Sequence, residues 1–176
     1  YLADPDTATV LVLEKTWQGE RRNGPELAAL FASSRMSIAD LARGELVTRA
    51  ARRRANGALD LSAARGMKSS LLATSGSWGQ LPEPLLVRDL NSHGDRLKAL
   101  PPRCLCPRGL GVNVAVVQLG VPLEIEVTGD GQTVTARVED SVGNTLMLQT
   151  HHRQVSPGAV DTTAEALRAG ATHVAG

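Results

Sequence analysis

Aromatic side chains are nearly missing from this chain of 176 residues, since Tyr1, Trp17, Phe31 and Trp78 are the full set. Sites for single-stranded nucleic acid stack bases on aromatic rings, and tight protein interfaces are enriched in Trp and Tyr anchors. The chain therefore has few side chains to spare for either kind of site. Its core must be built from Leu, Val and Ala.

Cysteine is as scarce, with only Cys104 and Cys106, which lie between prolines in PPRCLCPRG. These two cysteines could bind zinc together with His151 and its neighbour His152. The C-x-C spacing and the neighbouring histidines do not match the usual C-x₂₋₄-C and H-x₃₋₅-H patterns, and a Cys104–Cys106 disulfide is geometrically unfavourable. We therefore expect two reduced thiols, no metal and no cofactor, and a reducing compartment such as the cytoplasm.

Strong net charge and long apolar runs are also absent. The formal charge is +1, from 19 basic and 18 acidic side chains, so no global field attracts nucleic acid. The longest apolar run, Val114–Leu123, is interrupted by Gln118, Gly120 and Pro122, and falls well short of the roughly 20 residues that span a bilayer. We expect no membrane span. The start at Tyr1 suggests a processed precursor or an excised piece of a larger protein.

Residues 1–79 are predicted to form a mainly helical segment with one short strand. The run TVLVL at 9–13 indicates the strand. Pro25 suits the first turn of a helix, and Ser37 is a good N-cap with Asp40 three residues later. Apolar residues at helical spacing predict helices over about 25–33, 37–55 and 60–73.

The remainder is predicted to be a proline-rich connector, 80–111, followed by an antiparallel β-meander with a short terminal helix, 112–176. Val112–Leu119 is apolar on both faces, which indicates a central strand, and Thr145–Thr150 indicates a further strand. Thr162–Glu165 reads as a capping box for the final helix. The fold class predicted is α+β, with three segments that could also pack as one compact domain.

A hairpin around Asp130-Gly131 is the clearest local prediction, because this dipeptide is a strong turn signal. If these two residues form the loop, one face carries the apolar pairs Val127–Val134, Ile125–Ala136 and Leu123–Val138. The other face carries Glu126–Thr135 and Glu124–Arg137. A slip of one residue would destroy this separation.

The densest charge run is 49–54, RAARRR. On a helix, Arg49, Arg52 and Arg53 would share one face and could contact phosphates. The alternative is a solvated helix end at which arginine complements the helix dipole. A nucleic-acid role predicts binding that weakens steeply with salt.

Catalytic candidates are sparse, and no phosphate-binding loop or nucleophile elbow is present. His93 lies beside Asp95 in NSHGD, a predicted loop, and Cys104 or Ser77 could serve as the nucleophile of a site with them. A hydrated turn explains NSHGD equally well.

Three functions remain open. The first is a non-enzymatic protein-interaction or assembly module, a subunit or domain of a larger complex, whose partner is another protein or a second copy. It rests on the missing catalytic motifs and on an apolar strand that needs covering. The second is a nucleic-acid-associated protein using Arg49–Arg54, and the third is a hydrolase or protease built around His93.

Overall fold

The computed structural model describes residues 1–14, 18, 24–33, 36–49, 51–61, 69–74, 77–102, 104–106, 109–154 and 156–176, with the side chains of 31–33 outside that description. Strand residues outnumber helical residues in the described part. The elements of the first half are short: β1 Leu2–Asp4, β2 Thr9–Leu11, α1 Gly24–Ala28, β3 Phe31–Ser33, β4 Met36–Ser37, α2 Ile38–Arg43, β5 Gly44–Thr48, β6 Arg52–Arg53, β7 Leu59–Asp60 and β8 Ser69–Ala73.

The prediction of a helical first half is wrong. These strands pair as four two-stranded ladders in the described part, β1–β2, β3–β4, β5–β8 and β6–β7. The helix predicted over 37–55 stops at Arg43, and the one predicted over 60–73 is replaced at its end by β8, while 62–68 lie outside the described residues. Gly44 explains the first change. A Cβ built there would lie 2.7 Å from the carbonyl oxygen of Leu72, so glycine lets the two strands approach.

The start of α2 agrees with the sequence prediction. Ser37 caps the helix by accepting a hydrogen bond from the Asp40 amide at 3.0 Å, and the Asp40 carboxylate accepts one from the Ser37 amide. Leu41 on this helix is buried with Met36, Leu59 and Leu61. These four side chains form the core of the first half, and leucines of β1, β2, β5 and β8 pack around them.

The proline-rich middle contains more regular structure than predicted. A 3-10 turn, Trp78–Gln80, is followed by β9, Leu86–Val87, and by α3, Leu90–Lys98. The segment NSHGD, predicted to be a loop, lies inside α3. Asp89 is the reason, because its carboxylate accepts hydrogen bonds from the amides of Asn91 and Ser92 and so caps the helix.

The last third contains the main sheet: β10 Val116–Val127, β11 Thr133–Asp140, β12 Thr145–His151 and β13 His173–Ala175. The strand order is β12-β11-β10-β13, and β9 pairs in parallel with the start of β10. The stretches predicted as a central strand and as the first hairpin strand are thus one long strand. Its register with β11 shifts between Leu119 and Glu124.

The predicted hairpin register agrees with the structure on four of its five pairs. Val127 faces Val134, Ile125 faces Ala136, and both predicted polar pairs also form. The pair Leu123–Val138 is wrong, because Pro122 faces Val138 instead and Leu123 is 46% exposed. This pair lies within the register shift between Leu119 and Glu124. The hairpin turn is Thr128–Gly131, closed by the Gly131 amide and the Thr128 carbonyl at 2.8 Å.

Helix α4, Ala159–Arg168, covers the inner face of this sheet. It begins three residues before the predicted capping box, after Gly158, with no side-chain cap. Its buried residues, Val160, Ala164 and Leu167, pack on Val134, Ala136 and Val138 of β11. Burial of Leu167, which is 3% exposed, contributes about 2 kcal/mol. None of the described helices is long and apolar enough to cross a membrane.

Candidate functional site

The side of the sheet that faces away from α4 is here called the outer face. It alternates with the buried side along each strand, since Val134, Ala136 and Val138 point inward and their neighbours do not. Its side chains are exposed or half-buried: Glu124, Glu126, Thr133, Thr135, Arg137, Glu139, Thr145, Met147, Gln149 and His151.

Cross-strand rows organise the outer face. In one row Glu124 faces Arg137, which faces Met147 on β12. The Arg137 guanidinium lies 3.5 Å from the Glu124 carboxylate, with both side chains about half exposed. In another row the Thr133 hydroxyl lies 3.0 Å from Nδ1 of His151. Met147 is 58% exposed, so it offers the face an apolar contact.

The electrostatics of the outer face are acidic. Three carboxylates stand against one guanidinium, and the only ring is the imidazole of His151. The neighbouring turn adds Asp130, whose pKa is held below its ordinary value by hydrogen bonds from the Thr128 hydroxyl and the Gln132 amide. Such a surface repels phosphates and offers no stacking platform.

A buried carboxylate, Asp140, fixes the turn beyond β11. It is 3% exposed and accepts hydrogen bonds from the amides of Leu90, Val142 and Asn144, and from the Asn144 side chain, at 2.8–2.9 Å. Burial raises the pKa of Asp140, but these hydrogen bonds outweigh it, and its pKa lies below the ordinary value. The carboxylate thus stays charged where it is buried.

The same network fastens α3 to the sheet. The Asn144 amide group also donates to the Asp89 carboxylate at 3.0 Å, and Asn91 donates to Asn144 at 2.6 Å. The Ser141 hydroxyl donates to the carbonyl of Arg88 at 2.7 Å. We call Asp89, Asn91, Asp140 and Asn144 the clasp. Its hydrogen bonds connect the start of α3 with the turn after β11, so the clasp holds these two elements together.

The arginine run does not form the predicted helical face. Arg52 and Arg53 lie on β6, and neighbouring residues of a strand point to opposite sides. Arg53 lies 3.6 Å from Asp4 and donates to Thr7, while Arg54 lies 3.6 Å from Asp60. Arg49 follows β5 in a bend. Part of the positive charge is therefore neutralised locally.

The structure does not bring the catalytic candidates together. Nδ1 of His93 lies 2.8 Å from the Arg96 guanidinium, and burial together with Arg96 lowers the pKa of His93. Asp95 pairs with Lys98 at 3.0 Å instead of His93. Ser77 is exposed before the 3-10 turn, and Cys104 is exposed in its own loop. A catalytic role for His93 stays a prediction without a supporting geometry.

The zinc candidates are also apart. Cys104 and Cys106 are free thiols, and the Cys106 thiol donates to the Pro101 carbonyl at 3.1 Å. His151 lies at the end of β12 in contact with Thr133. Across the part of the chain that the structure describes, no group of three or more His, Cys, Asp or Glu side chains could hold a metal ion.

One cleft of about 780 Å³ lies between α1, α4 and β13. Pro25, Ala28, Thr162 and Ala166 are typical of its walls, and His173 is the only ionisable residue among its described lining. Nε2 of His173 is buried without a hydrogen-bond partner in the described structure. Among the described lining residues no carboxylate or thiol accompanies this imidazole, so they do not form a set of groups for general acid–base or nucleophilic catalysis.

Comparison with known proteins gives a family match for the last third of the chain. Residues 111–176 match the family model of the YehQ C-terminal OB-fold domain. Residues 111–176 form an OB-fold domain. Over 171 residues the chain is also 28% identical to Protein YehQ of Escherichia coli strain K12, covering 96% of this chain and 28% of that protein. No solved structure matches.

An OB-fold domain is a partly open barrel that commonly binds nucleic acids or proteins, and the second and third strands form its usual binding face. In this domain those strands are β11 and β12, so the outer face is the candidate site. The sequence prediction placed Glu124, Glu126, Thr135 and Arg137 on the outward face of the hairpin but assigned that face no binding role. It also predicted the meander and the terminal helix, but not the short strand β13 that follows the helix and pairs with β10.

Proposed function

We propose that this chain is a non-enzymatic protein-binding module whose OB-fold domain contacts its partner through the outer face. One observation carries the proposal. The face on which OB-fold domains bind their ligands is here acidic and lacks aromatic rings other than His151. A nucleic acid would meet repulsion and no stacking there, which leaves a protein as the partner that fits.

The charge of the whole domain supports the same choice. Residues 111–176 contain seven acidic and three basic side chains, a formal charge of −4 with histidine neutral. A domain of this sign steers polyanions away and attracts basic protein surfaces.

The outer face also suggests what the partner presents. Lys or Arg side chains would pair with Glu126 and Glu139, while an apolar side chain would cover Met147. The Glu124–Arg137 pair at 3.5 Å gives both a donor and an acceptor for hydrogen bonds at the centre. The contact would therefore be a mixed polar surface with one apolar anchor, which is typical of non-obligate interfaces.

Photo-crosslinking in the cells that make the protein tests this proposal. A photoreactive residue replaces Gln149 on the outer face, and a matched control carries it at Val47, which is 53% exposed on the β5–β8 ladder. We expect one discrete protein adduct from position 149, lost when Met147→Asp is added, and no such adduct from position 47. Nucleic-acid adducts at 149, or none of any kind, would refute the proposal.

A second candidate rests on the other sign of charge. Residues 1–110 contain 16 basic and 11 acidic side chains, a formal charge of +5. Arg49 and Arg52 are exposed and make no ion pair within the described part of the chain. Nucleic-acid binding through this region would weaken steeply with salt and on the double change Arg49→Gln and Arg52→Gln. Absence of binding at low ionic strength would end this candidate.

A further inference from the structure

The turn that joins β6 to β7 contains an Asn-Gly pair, Asn56-Gly57. The Gly57 amide donates a hydrogen bond to the Arg54 carbonyl at 2.9 Å and closes the turn. Gly57 has a φ of +85°, and a Cβ built there would lie 3.3 Å from the Leu110 carbonyl oxygen. This turn therefore needs glycine, both for its backbone angle and for the close approach of residue 110.

Three segments of the chain meet at this turn. The Leu110 amide donates to the Asn56 carbonyl at 2.7 Å, and the Val12 amide donates to the Gly57 carbonyl at 2.9 Å. Val12 follows β2, and Leu110 directly precedes the OB-fold domain. We call the turn 54–57, together with its contacts to Val12 and Leu110, the junction.

An asparagine followed by glycine is chemically labile. The main-chain nitrogen of the glycine attacks Cγ of the asparagine, since no Cβ on the following residue hinders it, and the side-chain nitrogen leaves as ammonia. The product is a cyclic succinimide, which water then opens. One opening gives aspartate, and the other gives isoaspartate, in which the main chain runs through Cβ and Cγ. The overall reaction consumes one water and releases one ammonia, so it needs no further reactant.

The folded turn restrains both reacting groups of Asn56-Gly57. The Gly57 nitrogen, which would attack, keeps its proton in the hydrogen bond to the Arg54 carbonyl. Oδ1 of Asn56 accepts a hydrogen bond from the Ala58 amide at 3.1 Å, which fixes the direction of the side chain. Asn56 is exposed, so access of water does not limit the reaction. The reaction therefore requires local opening of the turn.

We propose that Asn56 is a site of spontaneous deamidation and isomerisation that the intact junction protects. Once the junction opens, conversion of Asn56 to isoaspartate prevents it from closing again. In isoaspartate the carbonyl that accepts from Leu110 becomes part of a free carboxylate, and the main chain is longer by one methylene group. The modified chain therefore loses the hydrogen bond that holds residue 110 at this turn. This inference does not rest on the outer-face proposal.

The first test compares conversion at Asn56 in the folded chain and in guanidinium chloride at the same pH. Peptide mass spectrometry measures the conversion, and fragmentation spectra distinguish isoaspartate from aspartate. We expect conversion in the folded chain to be at least about tenfold slower than in the unfolded chain. Asn23-Gly24, whose Asn23 lies outside the described residues, is the matched pair that shows the reaction proceeding in the unfolded chain. Equal rates in the two states, or an unreactive Asn56 in the unfolded chain, would overturn the proposal.

The second test opens the junction from its other side. Leu110→Pro removes the N–H that donates to the Asn56 carbonyl and leaves the sequence around Asn56 unchanged. We expect this variant to convert faster than the wild type while folded. Leu110→Ala keeps the N–H, and because Leu110 is 37% exposed it should convert at the wild-type rate. A rate for Leu110→Pro equal to that of the wild type would contradict protection by the junction.

Amide exchange shows whether Leu110→Pro has kept the fold. The Leu119 amide donates to the Thr172 carbonyl at 2.8 Å inside the OB-fold domain, and its protection should be unchanged. If that protection is lost, Val12→Pro replaces the variant, because it removes the N–H that donates to the Gly57 carbonyl. The same faster conversion is then expected, and the wild-type rate would again contradict the proposal.

The third test examines the product. In the chain isolated with isoaspartate at position 56, we expect the amides of Leu110 and Val12 to lose protection while the Leu119 amide keeps it. Asn56→Asp introduces the same charge with an ordinary main chain, so it is the matched control and should keep the protection of Leu110. Retained protection of Leu110 in the isoaspartate chain, or an equal loss in Asn56→Asp, would refute the role given to the main-chain change.

Discussion

Residues 1–110 and residues 111–176 differ in formal charge and in the length of their strands. The first region has a formal charge of +5 and, apart from β9, pairs its strands of two to five residues into separate two-stranded ladders within the described part. The second has a charge of −4 and holds strands of up to twelve residues under one helix. Two-stranded ladders are marginal alone, so the first region depends on its leucine core, whereas the OB-fold domain is stabilised by a continuous sheet.

The largest expected effect lies in the OB-fold domain. Val138 is fully buried between the sheet and α4, and Val138→Asp would place an unpaired carboxylate there. We expect a loss of more than about 4 kcal/mol in the free energy of unfolding. Amide exchange should show lost protection throughout β10–β12 with protection kept in β5 and β8. Equal loss in both regions would show that they unfold as one unit.

The clasp joins the OB-fold domain to α3, and its carboxylate gives the next effect. Asp140→Ala leaves the donors of Leu90, Val142 and Asn144 unpaired and should cost about 3 kcal/mol. Chemical denaturation measures the loss. Ser92→Ala, which removes one exposed hydrogen bond to Asp89, is the matched control and should cost less.

The clasp also predicts a pH dependence. The pKa of Asp140 is lower in the folded chain than in the unfolded chain, where it is about 3.9. Its contribution is therefore present above the unfolded pKa and lost as the pH falls through the folded pKa. The stability difference between the wild type and Asp140→Asn should be constant near neutral pH and shrink in acid. A difference that grows in acid would contradict the network.

A substitution in the leucine core of the first region should lower the free energy of unfolding by a smaller amount. Leu59 is 8% exposed beside Leu41 and Leu61, and Leu59→Ala should cost about 2–3 kcal/mol. Val47→Ala, on the exposed side of β5, should change stability by less than about 0.5 kcal/mol. Equal effects of the two changes in thermal unfolding would mean that this core does not hold the region together.

The smallest effect belongs to the outer face. Arg137 and Glu124 form an exposed pair at 3.5 Å, and Arg137→Gln should cost about 0.5 kcal/mol or less. A double-mutant cycle with Glu124→Gln isolates the pair. Stability near the wild-type value would leave these variants available for partner-binding measurements. A coupling well above 1 kcal/mol would instead give the pair a structural role.

The sequence predicts those parts of the structure that are determined by residues close together in the chain. The alternation of EIEV and TVTAR sets the register of the hairpin, because one choice separates apolar from charged pairs. Leu123 does not follow this alternation, because the register shifts on either side of Pro122. Pro122 has no N–H to donate to β11, and a Cβ at Gly120 would lie 3.0 Å from the Asp140 carbonyl oxygen. The sequence alone does not show that these two features shift the register.

The prediction of helices in the first region was wrong for a related reason. Gly44–Thr48, GELVT, fits a helical spacing of Leu46 after Ala42 as well as the strand alternation that the structure shows. Helix and strand differ there only through pairing with β8, which lies over 20 residues away. The candidate site could not be predicted for the same reason, because the outer face is formed by residues of three strands that are brought together only by pairing. The cap at Asp89 could have been predicted, because Asp is one of the residues preferred at the N-cap of a helix.

Whether the acidic OB-fold domain turns its outer face to protein rather than nucleic acid is tested most directly by a titration of the full chain. A single-stranded oligonucleotide is added at low salt, and the backbone amides of Thr135 and Gln149 are followed by NMR. We predict no saturable shift at either amide. Saturable shifts at both that disappear as salt is raised would contradict the protein-binding account.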